Sequence, residues 1–303
     1  MMRKILLLVA IALGAVAFDA PAADTVAVVL KAPGSRNPFW AAMQAGAEAK
    51  GKELGVNVVV VAPPRESDVQ GQIVRVEDQL ARKVVAIAIA PSDPIALAPV
   101  LEQARKQGVG VVFIDTRGAN SGITYIGTNN EAGAALAADF ICKNVPKGSE
   151  VAILLGVITQ STAQAREQGS KKGLTACGMK VVAARPADWD TDRARSVMEN
   201  IITGHPNLKA VFASNDTMAL GAVQALKSAN MLSKVTVVGF DANPDAVASV
   251  LAGEMKATVA QKPKDMGALG VENALNVKRG KNIPLVIDTG AVLVTKANAA
   301  SYK

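Results

Sequence analysis

Two kinds of apolar pattern alternate along the chain. Short runs rich in β-branched residues occupy 26–30, 56–61, 84–89, 109–114, 151–155, 181–184, 210–213, 235–240 and 257–260. Between them apolar residues return at helical spacing, as at Val69, Ile73, Val76 and Leu80, which fall on one face of a helix. The short runs are apolar throughout instead of alternating with polar residues, and that suits parallel strands covered by helices on both faces. The predicted class is α/β, doubly wound.

The pattern also repeats. Val111-Val112-Phe113-Ile114-Asp115-Thr116 returns as Val237-Val238-Gly239-Phe240-Asp241-Ala242, and Ile89-Ala90-Pro91-Ser92-Asp93 as Phe212-Ala213-Ser214-Asn215-Asp216. The first echo is offset by 126 residues and the second by 123, so two strand ends keep their order and spacing in both halves, as two similar lobes would show. Asn37-Pro38 and Asn243-Pro244 each set a capping Asn before a Pro suited to the first helical position. Each follows a strand and a short loop, at the carboxyl edge of a parallel sheet, where ligands bind.

Those edges collect an unusual set of side chains. They are Lys31, Arg36, Asn37, Phe39 and Trp40 in the first loop, then Ser92, Asp93, Asp115, Thr116 and Arg117. The second half adds Arg166 in the loop and helix at 159–169, Trp189 between Asp188 and Asp190, Asn215, Asp216, Phe240, Asp241 and Gln261. In a chain with 3% aromatic residues, adjacent rings at Phe39 and Trp40 call for a reason. A sugar or polyol supplies one: carboxylates and amides bracket its hydroxyls, Arg donates as a planar fork, and flat rings cover its C–H faces. Phe39, Trp40, Trp189 and Phe240 thus read as walls. Asn37, Asp115, Arg166, Asn215, Asp241 and Gln261 read as the polar set. Plainer roles stand beside these: an Asp at a strand end forms turns, Phe39 suits a hydrophobic staple, and Arg36 and Arg117 suit solvated loop charges.

Catalytic patterns are sparse. The single histidine, His205, precedes Pro206 in a turn after a helix, away from any Ser, Cys or second His arranged as a triad or zinc site. Gly108-Val109-Gly110 leads into a strand where a dinucleotide fingerprint would follow one, and no phosphate-binding loop ending in Gly-Lys-Ser or Gly-Lys-Thr occurs. Neither a cofactor nor a metal is expected. Asp115 and Asp241 as acid and base of a secreted glycoside-acting enzyme form the alternative from another class, with a binding protein for a non-sugar small solute as a further one.

Compartment and size narrow the classes. Arg3 and Lys4 precede an apolar run, 5–18, that is short for a membrane span and ends in the small residues of 19–23, so 1–22 is expected to be a cleaved secretory signal. The remaining chain, about 280 residues, exceeds the usual single domain and predicts two lobes. The net charge of +7 is carried by scattered pairs such as Lys171-Lys172 and Lys278-Arg279, without the interleaved aromatics of a nucleic-acid binder, so no nucleic acid is expected. Cys142 and Cys177 form either a disulfide or two buried thiols.

With these residues in hand, the chain resembles a periplasmic sugar-binding protein of the ribose/allose type, the substrate-binding component of an ABC transporter. The resemblance runs from Val26 to about Thr295 and is carried by Asn37-Pro38-Phe39-Trp40, Asp115, 127–130, Ala165-Arg166-Glu167-Gln168-Gly169, 186–190, 213–221, 238–241 and 257–261. It implies the type I periplasmic-binding fold: two similar doubly wound parallel-sheet lobes joined by a three-segment hinge near Gly127, Gln261 and Asp288. The lobes would be 24–127 with 261–287, and 128–260 with 288–303. It implies that Lys31, Asn37, Phe39, Trp40, Asp115, Arg166, Trp189, Asn215, Phe240, Asp241 and Gln261 bind a monosaccharide or polyol. The expected setting is the periplasm, as a monomer, with an ABC permease and a chemoreceptor as readers of the closed form. Departures from the ribose-like pattern, namely a longer loop at 32–36, Thr116 before Arg117, and Ala90 in place of an Asn, touch the pocket and leave the sugar open.

Overall fold

The computed structural model describes residues 23–302, and the proposed signal segment lies outside them. The first sheet holds β1 (Thr25–Val29), β2 (Asn57–Val61), β3 (Ala86–Ile89), β4 (Gly110–Ile114), β5 (Tyr125–Gly127) and β11 (Val286–Asp288). The second holds β6 (Glu150–Leu155), β7 (Lys180–Pro186), β8 (Leu208–Ala213), β9 (Thr236–Val238), β10 (Ala257–Ala260) and β12 (Val292–Thr295). Their orders correspond strand for strand, β2-β1-β3-β4-β5-β11 and β7-β6-β8-β9-β10-β12. All neighbours are parallel except β12, which runs antiparallel to β10.

The helices are α1 (Pro38–Leu54), α2 (Val69–Ala81), α3 (Ala98–Lys106), α4 (Asn130–Asn144), α5 (Ser161–Ala176), α6 (Thr191–Gly204), α7 (Asp216–Ser228), α8 (Pro244–Ala252) and α9 (Pro263–Lys278). They cover both faces of each sheet, and the strand sequences show why. Along β1, β3 and β4, Ala27, Val29, Ile87, Ile89, Val111 and Phe113 pack into one core, while Val26, Val28, Ala86, Ala88, Val112 and Ile114 pack into another. In the second lobe Ile153, Phe212 and Val238 face one core and Leu154, Val211 and Val237 the other. Successive residues point to opposite faces of a strand, so two apolar faces demand an unbroken apolar run.

The chain passes between the sheets three times: from β5 into α4, from β10 into α9, and from β11 to β12. The second passage sends α9 back against α1, where Gly46 meets the Lys264 backbone and Gly267 meets that of Met43. A side chain at either glycine would hold the helices apart. In the second lobe α4 and α5 approach equally closely, with Gly169 against Glu131, and Cys142 and Cys177 form a disulfide with Cα atoms 6.1 Å apart.

Each of the nine apolar runs of the sequence overlaps a strand, whereas β5, β11 and β12 fall outside those runs. β5 and β11 offer three residues each, including Gly127 in the first and Asp288 in the second, whereas Val292-Leu293-Val294 of β12 is as apolar as the four residues of β10.

Candidate functional site

In both sheets the order reverses beside the first strand of the lobe, between β1 and β3 and between β6 and β8. Loops leaving the carboxyl ends there diverge and open a crevice. The two crevices face each other across a narrow cleft of about 270 Å³, part of it open to solvent. The first lobe contributes Lys31 after β1, Asn37, Phe39 and Trp40 at the start of α1, Glu66 after β2, and Asp115 after β4. Opposite stand Thr162 and Arg166 on α5, Trp189 after β7, Asn215 before α7, Asp241 after β9, and Gln261 at the passage after β10.

The backbone turns sharply to aim these groups. Asp115, Asp188, Trp189, Asp241 and Ala242 have φ of 57°, 51°, 63°, 124° and 57°, a region that costs non-glycine residues energy and that clusters at ligand sites. Tyr125 Oη donates to the Asp115 carbonyl at 2.8 Å and steadies that turn. Gly156 lies directly under the Trp189 indole, where a Cβ would overlap the ring. Asn37 caps α1 by accepting from the Phe39 N–H at 3.0 Å, so the cap also fixes where the two rings emerge. Phe39 and Trp40 then meet edge to face, 4.9 Å between centroids and 86° between planes.

A network of buried charges runs behind the rings. Lys31 Nζ donates to Thr116 Oγ1 at 2.9 Å and, across the crevice, to Gln160 Oε1 at 2.8 Å, and it lies 3.2 Å from Asp115 Oδ2. Gln160 Oε1 also accepts from Trp189 Nε1 at 2.9 Å, while Glu66 Oε1 accepts from Trp40 Nε1 at 2.8 Å. Arg166 is fixed on three sides: Nε donates to Asn130 Oδ1 and Nη1 to the Ser214 carbonyl, both at 2.7 Å, and its plane lies 3.8 Å from the Phe240 centroid. Its Nη1 is 3.8 Å from Asp241 Oδ1. Asp241 accepts from Gln261 Nε2 at 2.7 Å, and Gln261 accepts from Thr128 at 2.7 Å, so two of the passages between sheets hold this carboxylate. Burial raises the Asp241 pKa to about 7 against the lowering pull of Arg166 and Gln261. Burial likewise raises Glu66, and it raises Asp216 well above the carboxylate range.

Ten of the eleven residues named from the sequence line this cavity; Phe240 does not. It is fully buried, with the Arg166 guanidinium carbon stacked 3.8 Å from its ring centroid. Asp216, the second acid of its strand end, is turned inward to accept from the Asn243 N–H at 2.7 Å and from Thr258 Oγ1 at 2.6 Å. Asn243 makes no side-chain cap on α8 and instead donates to Asn37 Oδ1 across the crevice, at 3.4 Å. Arg36 lies on the outer rim and Arg117 stacks over Tyr125 at 4.4 Å. Glu66, Gln160 and Thr162 were not read from the sequence. The first follows the carboxyl end of a strand, and the other two precede and open a helix already marked as part of the site; those positions were the available signals.

Comparison with known proteins bears on this geometry. The family model for a periplasmic binding protein domain matches residues 26–282. The chain belongs to that family. Among curated members of this periplasmic binding protein family, it is 36% identical over 299 residues to the ribose import binding protein RbsB of Escherichia coli (strain K12), covering 97% of this chain and 99% of that one. To the D-allose-binding periplasmic protein of the same organism it is 39% identical over 276 residues, with 87% and 88% covered. In structure it is similar to an ABC transporter periplasmic solute binding protein from Actinobacillus succinogenes 130z with bound D-allose, at a TM-score of 0.86 and 32% identity, covering 92% of this chain and 100% of that one. The Caulobacter myo-inositol binding protein, bound to myo-inositol, gives a TM-score of 0.84 at 30% identity, with 91% and 95% covered.

Proposed function

We propose that this periplasmic binding protein captures a neutral monosaccharide or polyol between its lobes, in the periplasm, and delivers it to the permease of an ABC importer. The observation that carries the reading is the composition of the cavity: carboxylates and amides from both lobes between rings from both lobes. Carboxylates accept hydroxyl hydrogens, the Arg166 fork donates, and Phe39, Trp40 and Trp189 offer faces to C–H groups. Three acids, Glu66, Asp115 and Asp241, stand against two cations, Lys31 and Arg166, and the cations are already engaged by them or by neighbouring oxygens. With both cations already engaged, a neutral ligand is favoured over a sugar acid. The relatives named for ribose and D-allose and the neighbours holding D-allose and myo-inositol support the same class.

Capture works by population shift. A ligand that hydrogen-bonds to Asp115 on one lobe and to Asp241 and Asn215 on the other gains its full set of contacts only when the lobes are together, so it stabilises the closed form. The three passages after Gly127, before Gln261 and after Asp288 would bend, with 24–127 and 261–287 moving against the rest. A glycoside-cleaving role for Asp115 and Asp241 finds little support, because Asp115 is held by Thr116 at 2.6 Å and Asp241 by Gln261 at 2.7 Å.

The test is a thermal-shift screen against D-ribose, D-allose, D-arabinose, myo-inositol, sugar acids and amino acids, confirmed by titration calorimetry. At about 100 times Kd a ligand adds about 2.7 kcal/mol of stability, several degrees in Tm for a chain of this size. A neutral sugar or polyol is expected to give the largest shift and to be recovered unchanged. A larger shift from an amino acid, or turnover of the sugar, would refute the proposal.

A further inference from the structure

The start of α5 holds polar groups that the network above leaves unused. Gln160 and Thr162 are 0% and 3% exposed. Thr162 lines the cavity, and its buried Oγ1 finds no hydrogen-bond partner among the described residues. The Gln160 side-chain amide is in the same condition for a definite reason. Its Oε1 accepts from two donors, Lys31 Nζ and Trp189 Nε1, so the amide cannot be turned without setting donors against donors, and its Nε2 is left without a partner. No side chain caps α5, and the N–H groups of Ser161, Thr162 and Ala163 have no acceptor among the described residues. Thr162 and Arg166 lie one turn apart on the cavity side of this helix.

Buried polar groups are nearly always satisfied in a working protein. An unpartnered hydroxyl on a residue of the cavity wall, beside a helix start with free N–H groups, leaves a ligand oxygen as the available partner. We infer that Thr162 Oγ1 and the uncapped first turn of α5 form a further contact of the site, taking one oxygen of a hydroxyl-bearing ligand. The inference rests on the sugar or polyol reading and adds a donor position to it. Glu66, Asp115 and Asp241 present acceptors, whereas the helix start presents N–H groups and positive potential, so the ligand oxygen here acts as an acceptor. The contact also gives Gln160 a role: by bonding Lys31 from the opposite lobe, it brings the first turn of α5 to its place when the lobes meet.

Thr162→Val keeps the shape and removes the hydroxyl. In titration calorimetry with whichever of D-ribose, D-allose, D-arabinose and myo-inositol binds the wild type most tightly, affinity is expected to fall about three- to tenfold, the loss of one neutral hydrogen bond. Thr162→Ser should stay within about twofold of the wild type, since it keeps the oxygen. The ligand-free Thr162→Val protein is expected to melt higher than the wild type, because a buried unsatisfied hydroxyl has been removed. A purely structural Thr162 predicts the reverse, a lower Tm with affinity unchanged. Affinity within twofold of the wild type for Thr162→Val, or an equal loss for Thr162→Ser, would overturn the contact. If none of the four probes binds the wild type, the sugar reading itself falls and this contact with it.

Discussion

Removing the disulfide should separate stability from binding in this protein. Cys142 lies near the end of α4 and Cys177 just after α5, closing a loop of 35 residues. In the chain-entropy treatment such a loop restricts the unfolded state by about 3.8 kcal/mol at 25 °C. At the 2–4 °C per kcal/mol usual for chains of 150–250 residues, a Cys142→Ala/Cys177→Ala variant should lose about 8–15 °C in Tm, toward the lower figure for this longer chain. Binding has a different dependence. The site ends of the same two helices are tied independently, Arg166 to Asn130 and to the Ser214 carbonyl at 2.7 Å each. Asn130 and Cys142 are twelve residues apart, about 18 Å along α4. The affinity for the sugar found in the screen should therefore stay within about twofold. Differential scanning fluorimetry of the variant, and of the wild type with and without reductant, measures the first quantity and calorimetry the second. A loss below about 3 °C would refute the entropic account; a tenfold loss of affinity would show that the disulfide sets the position of Arg166.

Other outcomes follow from the site. Asp115→Ala and Asp241→Ala should each weaken binding by about ten- to a hundredfold, the worth of hydrogen bonds to a charged group, in proteins that remain folded by circular dichroism; near-wild-type affinity in either would remove that acid from the polar set. Trp189→Ala should weaken binding about tenfold or more, and Gly156→Ala should act in the same direction by displacing the indole from below; unchanged affinity in both would assign the ring to the core alone. The pH dependence of stability has a fixed sign. Burial holds Glu66, Asp216 and Asp241 above ordinary carboxylate values, Asp241 at about 7, so above the unfolded value near 4 the folded protein retains protons that the unfolded chain has released. The contribution of Asp241 is full below about pH 4 and is lost as pH rises through about 7, and those of Glu66 and Asp216 have the same sign. The Tm of Asp241→Asn should accordingly fall less than that of the wild type between pH 5 and 8, and equal slopes would contradict the assignment.

Much of this was legible because two constraints leave marks in sequence. A strand buried on both faces must be apolar throughout, and residues such as Val111 to Ile114 announce it. A parallel strand must end at the ligand edge, so the acid after such a run, Asp115 or Asp241, marks the site before any contact is known. The unread parts obey no such local rule. β11 exists because three residues near the end of the chain find β5, some 160 positions earlier. Glu66 belongs to the site because α1 and the loop after β2 lie side by side, which brings it to Trp40 Nε1. Phe240 misled because a ring at a strand end reads as a wall, and its face was taken by Arg166 from the next layer. Asn243 looked like a cap, and its side chain was claimed across the crevice by Asn37.

The contacts that cross the crevice explain how such a site remains responsive to its ligand. Lys31 reaches Gln160 at 2.8 Å, the Arg117 N–H reaches Ser161 Oγ at 2.9 Å, and Asn243 reaches Asn37 at 3.4 Å. At about 0.5–1.5 kcal/mol for each net hydrogen bond, they favour closure by a few kcal/mol before the entropy of holding two lobes together is counted. Turning a 1:99 mixture of closed and open forms into 99:1 takes about 5.5 kcal/mol. The direct contacts are thus of the size of the switch but do not dominate it. On the proposed reading, a ligand joining Asp115 to Asp241 adds charge-assisted hydrogen bonds on both sides at once, and these act in the same direction as the direct contacts.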